Sequence, residues 1–137
     1  MGFSRTVPAL PVRDMPAAIA FYETRFGFDV IHSDGDFARL NRDDAQVHLW
    51  LADDTGWRSR PDFADAPVRS GAEDFIAGTA SCRIDVDSAD EVFTEMQAAG
   101  VLHYTHDDAP KDTTWGTREV DTLDLDGNLL TFVERLS

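Results

Sequence analysis

Several things are scarce in this chain. Cysteine occurs once, at Cys82, which excludes an internal disulfide framework and any zinc site built from clustered cysteines. Lysine also occurs once, at Lys111, and 12 basic residues face 26 acidic ones, for a net charge of −14. An acidic excess of this size repels phosphate and argues against nucleic acid as a partner. No apolar run approaches a membrane span, and no basic-then-apolar signal peptide opens the sequence. No membrane partner is expected, and the cytoplasm is the expected compartment. Gly-rich phosphate loops and Gly-x-Ser-x-Gly nucleophile elbows are missing as well. Arg in place of Lys and Asp in place of Glu suggest a GC-rich bacterial genome.

What is present is 42% hydrophobic residues in 137, enough to bury a core in one domain. A weak internal duplication organises them. Val12-Arg13-Asp14-Met15-Pro16-Ala17-Ala18-Ile19 matches Val86-Asp87-Ser88-Ala89-Asp90-Glu91-Val92-Phe93. Each stretch ends an apolar strand and then offers a helix N-cap, Asp14 or Ser88, whose side-chain oxygen can accept from a free backbone N–H. Ala18, Ile19, Tyr22 and Phe26 form one helical stripe, and Val92, Phe93 and Met96 form the other. Gly27 and Gly100 stop the two helices.

The repeat continues as two hairpins. Phe37–Asn41 turns at Asp43-Asp44 into Val47–Trp50, and Asp121–Asp124 turns at Asp126-Gly127 into Leu130–Val133. One further strand after each helix, Asp29–Ser33 and Leu102–Thr105, gives β-α-β-β-β twice. The expected division is module one at about 5–52, a connecting loop at about 53–78 and module two at about 79–135, in one domain over 1–137. A loop of that length is either functional or a surface excursion.

A tandem β-α-β-β-β pair resembles the vicinal oxygen chelate superfamily, which includes glyoxalase I, extradiol dioxygenases, fosfomycin-resistance enzymes and bleomycin-resistance proteins. The similar stretches are Val7-Pro8-Ala9-Leu10-Pro11-Val12-Arg13-Asp14, Ala20-Phe21-Tyr22-Glu23, Phe26-Gly27-Phe28 and Leu123-Asp124-Leu125-Asp126-Gly127-Asn128-Leu129-Leu130. The resemblance implies an α+β fold, with a cupped mixed sheet and flanking helices. Asp36-Phe37-Ala38 with Arg42-Asp43-Asp44, and Trp115-Gly116-Thr117-Arg118-Glu119, are similar to the bleomycin-resistance branch. That branch implies a metal-free homodimer that exchanges its N-terminal strand and sequesters a cationic antibiotic in clefts at the dimer interface. Pro8 and Pro11 suit a strand at an edge or exchange position.

The enzymatic branches place metal ligands at four slots, matched here by Val7, His48, a position near Ser81, and Thr131. Only His48 is a good donor, while a catalytic site needs about three. Glu134 alternates onto the face opposite Thr131 and does not help. No metal or cofactor is expected, and the reading leans away from an enzyme. Two alternatives stay open: a metal-dependent lyase, isomerase, dioxygenase or thiol transferase, and a binder of another small metabolite.

Candidate ligand-binding residues follow from type and context. Trp115, with Gly116 behind it, sits in a polar loop and suits a stacking platform. Phe37 opens a strand and is either a cleft or a core residue. Trp50 alternates with His48, so the two share a strand face. Trp57 lies in the long loop. Asp36 and Glu119 flank the aromatic stretches, and Arg118 pairs either near Glu119 or with an acid across the sheet. Most other Asp residues occupy turns and caps. His32, His103 and His106 read as surface residues, and Cys82 as a small buried hydrophobe.

Overall fold

A computed structural model describes residues 1–52, 61 and 76–137. Trp57 lies outside the described residues. The elements are β1 (Ala9–Val12), α1 (Met15–Phe21), a π-helical turn (Tyr22–Phe26), β2 (Asp29–Ser33), β3 (Phe37–Arg42), β4 (Ala45–Leu51), β5 (Ser81–Asp85), α2 (Ala89–Ala99), β6 (Lys111–Asp112), β7 (Thr117–Leu123) and β8 (Leu129–Arg135). They form two four-stranded mixed sheets, ordered β1-β4-β3-β2 and β5-β8-β7-β6. In each, one strand pair is parallel, β1 with β4 or β5 with β8, and the other pairs are antiparallel. The fold class is α+β, and the duplication is reproduced sheet for sheet.

The helix ends form as the sequence directs. Asp14 Oδ1 accepts from Ala17 N at 3.0 Å and Ser88 Oγ from Glu91 N at 3.2 Å. Gly27 and Gly100 take left-handed φ values of 71° and 72°, which a side chain would resist. The first stripe departs from a plain α-helix, because its last turn is π-helical. Tyr22 and Phe26 are nonetheless both fully buried, with ring centroids 5.1 Å apart.

The second strand of the second module is not Leu102–Thr105, as the sequence suggests. Leu102 makes one isolated bridge to Thr122, and the edge strand is Lys111–Asp112. The polar side chains of this stretch bond locally. His103 Nδ1 lies 2.7 Å from Thr105 Oγ1 and accepts from Thr105 N at 3.2 Å, which competes with a ladder.

Strand alternation divides each sheet into a core face and an open face. Ala38, Leu40, Val47 and Leu49 join Ala18, Tyr22 and Phe26 in the core, and Val120, Leu130 and Phe132 join Phe93 and Met96 from the second module. The two halves meet within one cluster, with the Phe26 and Phe132 rings 6.4 Å apart. The open faces carry the candidate site residues.

Candidate ligand-binding faces

On the first sheet, the register sets Phe37 opposite Trp50 and Arg39 opposite His48. The Phe37 ring lies 4.6 Å from Trp50 and 5.0 Å from His48, centroid to centroid. All three rings are half-buried, so they form an aromatic floor and not part of the core. The sequence left Phe37 between cleft and core; the pairing puts it on the open face. His32 is exposed, as the sequence suggests, and its ring lies 6.1 Å from Phe37 at the edge of the floor. Burial first, then the charges of Arg39 and Arg5, hold the His48 pKa below the ordinary histidine value, so its ring is neutral at pH 7. Phe37, Trp50 and the neutral His48 ring can stack on a flat ligand.

Asp36 is exposed and immediately precedes Phe37 in the chain. Asp34 fixes the approach by accepting from Asp36 N at 2.9 Å and Phe37 N at 3.0 Å through one oxygen.

The open face of the second sheet is polar. Glu119 is buried, and its Oε2 accepts from Arg83 Nη2 at 2.6 Å and Thr117 Oγ1 at 2.7 Å. Burial pushes its carboxyl up, but the Arg83 and Thr117 bonds outweigh burial and hold it below the ordinary value. Two residues on, Asp121 accepts from Lys111 Nζ and Thr131 Oγ1, each at 2.8 Å. Sequence reasoning missed Arg83, Lys111 and Asp121; the signal available was that Asp121 follows Glu119 by two and so shares its face.

Arg118 is not brought to this face. Alternation turns it to the other side, where it bonds Asp112 across β6 at 2.7 Å and 3.1 Å and reaches Asp90 of α2 at 3.4 Å. Of the two partners left open by the sequence, the acid across the sheet is the one found. Trp115 is 70% exposed in the turn between β6 and β7, where Gly116 takes φ 89°. It stands apart from the ring floor in sequence and element, on the second module.

The superfamily's metal slots do not fit a divalent ion on donor chemistry. Val7 has no donor, and the Thr131 hydroxyl is committed to Asp121. Glu134 lies on the face opposite Thr131, where its Oε1 accepts from Ala89 N at the start of α2. Among the described residues no group of three His, Cys, Asp or Glu side chains could hold a metal. Cys82 is half-buried, and burial pushes its thiol up to about 11, which leaves it un-ionised and a poor nucleophile. Among the described residues no helix is long and apolar enough to cross a membrane.

Two cavities, of about 410 and 590 Å³, lie along β5 and the β3–β4 turn. Neither is lined by Phe37, His48 or Trp50.

The family model described as the Glyoxalase/Bleomycin resistance protein/Dioxygenase superfamily matches residues 4–132. The chain belongs to this superfamily. Among superfamily members it is 42% identical over 132 residues to bleomycin resistance proteins of Geobacillus stearothermophilus and Staphylococcus aureus, covering 96% of this chain and 97% of theirs. Solved structures share the superfamily fold at 23% identity. A bleomycin resistance determinant encoded on transposon Tn5 aligns with a TM-score of 0.70 over 97% of this chain and 98% of that one. A bleomycin-binding protein complexed with bleomycin aligns with a TM-score of 0.69 over 97% of this chain and 99% of that one.

Proposed function

We propose that this protein binds and sequesters a cationic glycopeptide antibiotic of the bleomycin type without chemically altering it. The observation that carries the reading is the 42% identity to bleomycin resistance proteins along nearly the whole of both chains. The geometry supports it at the residue level. Phe37, His48 and Trp50 offer a stacking floor for flat rings, and Trp115 offers a second aromatic platform. Exposed Asp36 offers a carboxylate for a cationic ligand, and the Glu119 face adds carboxylates that Arg83 and Lys111 already pair. Arg118 makes no part of this reading.

A second copy of the chain would wall the ring floor and complete a cleft for a flat ligand. In this reading the working form is a homodimer. β1 is an edge strand that contains Pro11 and follows Pro8, and its exchange between copies would place each copy's N-terminus on the other. Residues 1–137 act as one domain, a reading supported by the single buried cluster that draws on both modules. A lone half-buried cysteine is consistent with work in the reducing cytoplasm.

Titration of the purified protein with bleomycin, followed by tryptophan fluorescence and by calorimetry, tests the reading. Saturable binding, recovery of intact antibiotic and protection of sensitive cells are expected. Absence of saturation together with absence of protection overturns it. Sedimentation in the same buffer tests the dimer, and a monomer at micromolar concentration would remove it.

A further inference from the structure

His106 reads as a surface residue in the sequence, but the structure places its ring between α2 and the outer edge of β7. That edge is only partly covered. β6 pairs with β7 at Glu119 and Arg118, and a single bridge joins Thr122 to Leu102. Between these points the backbone of Asp121 is bonded entirely by the intervening loop. Its carbonyl accepts from His103 N at 2.9 Å, and its N–H donates to His106 Nε2 at 2.8 Å. The imidazole thus stands where a neighbouring strand would offer a carbonyl. It packs edge-on against Phe93 of α2, at 5.7 Å between centroids, and its buried Nδ1 makes no well-formed hydrogen bond, only a weak interaction with the Ala109 backbone.

We propose that His106 is an acid-sensitive pin: its neutral ring fastens the 103–110 loop to β7, and protonation releases that loop. The reason is the donor count. Neutral imidazole has one nitrogen that accepts, whereas imidazolium has two donors and no acceptor. Protonation would set His106 Nε2–H against the Asp121 N–H and leave that backbone donor without a partner. His103, which shares the loop, would be freed with it. Lys111 follows the loop directly, and its ammonium holds the Asp121 carboxylate, so the polar face of the second sheet would loosen at one edge.

The surroundings hold the ring ready for this change. Burial is the largest influence and keeps the His106 pKa below its ordinary value of 6.5. Lys111 from β6 and His103 from the loop act in the same direction, while the Asp121 carboxylate from β7 and the Ala109 backbone oppose them. From α2 the ring meets Phe93, which carries no charge. Because the folded value is depressed, the pin is fully in place above 6.5. Its contribution declines as pH falls below 6.5 toward the folded value.

The test uses the full chain, labelled for nuclear magnetic resonance, with no antibiotic present, so its outcome is separate from that of the binding reading. The His106 ring and the Asp121 amide are followed together from neutral to mildly acidic pH. The amide is expected to shift with the same midpoint as the ring. Its exchange is expected to rise about tenfold relative to Val120 and Thr122, as loss of one hydrogen bond allows. His106→Gln keeps an acceptor oxygen and cannot titrate; its Asp121 amide should stay protected across the range. His106→Phe should leave that amide fast at every pH. An Asp121 amide in the wild type that ignores the ring's titration overturns the proposal, whether or not the variants fold. So does a His106→Gln protein that keeps the midpoint.

Discussion

The hydroxyl of Tyr22 donates to Asp124 Oδ2 at 2.8 Å, a buried contact between residues 102 apart in the chain. It ties the helical end of the first module to the hairpin turn of the second. Asp124 is the hub of that turn: its Oδ1 accepts from Asp126 N and Asn128 N, each at 2.9 Å. Asn128 Nδ2 in turn donates to Pro11 O at 2.8 Å and to Asp124 Oδ2 at 3.0 Å. Removing the tyrosine hydroxyl would strip one donor from a buried carboxylate, so Tyr22→Phe should destabilise the fold by about 1–3 kcal/mol. A lowered denaturation midpoint with an unchanged slope is the expected measurement. Burial, reinforced by Asp124, raises the Tyr22 pKa well above 10. The stability from this bond is therefore complete below the ordinary tyrosine value of 10 and declines only as pH rises beyond it.

The ring floor makes a second prediction. Phe37 and Trp50 are half-buried on the open face, so truncating them should affect ligand more than fold. Phe37→Ala and Trp50→Ala should each weaken bleomycin binding by about 1–3 kcal/mol, the range for aromatic stacking on flat rings. Trp115→Ala should do the same. Calorimetric titration of the three variants reads this directly, and unchanged affinity in any one removes that residue from the site.

Arg118 and Glu119 are neighbours in sequence on opposite faces of β7, and so give opposite expectations. Arg118→Ala breaks exposed pairs with Asp112 and Asp90 and should cost less than about 1 kcal/mol of stability. Bleomycin affinity should not change. A large loss of affinity would show that the ligand reaches the helical side of the sheet.

These faces mark where the sequence stopped being readable. Caps, glycine stops and hairpins are local signals, and Asp14, Ser88, Gly27 and Gly100 each did what local chemistry demands. Face membership was legible wherever alternation was unbroken, as for His48 with Trp50 and for Thr131 against Glu134. It was not legible for Leu102–Thr105, because side chains of that stretch satisfy one another and remove the need for a ladder. Nor could His106 be placed, since its partner is a backbone N–H 15 residues on. Arg83 and Lys111 were invisible as site residues for the same reason: each is defined by a carboxylate on another strand.

Glu119 carries the last prediction. Its side chain is 10% exposed, whereas its partner Arg83 is 56% exposed, so the carboxylate is the buried half of the pair. Burial alone would raise its pKa, yet the bonds from Arg83 and Thr117 hold it below the ordinary glutamate value of 4.5. A carboxyl depressed on folding contributes stability above its unfolded value, and that contribution declines as pH falls below 4.5. Thermal unfolding of the wild type should therefore lose part of its midpoint on acidification. In Glu119→Gln the amide cannot ionise, so the midpoint should vary less over the same acidic range. The variant should also bind bleomycin more weakly at pH 7 in a calorimetric titration. Parallel acid dependence in the two proteins would show that the Arg83–Glu119 pair makes no net contribution to folding.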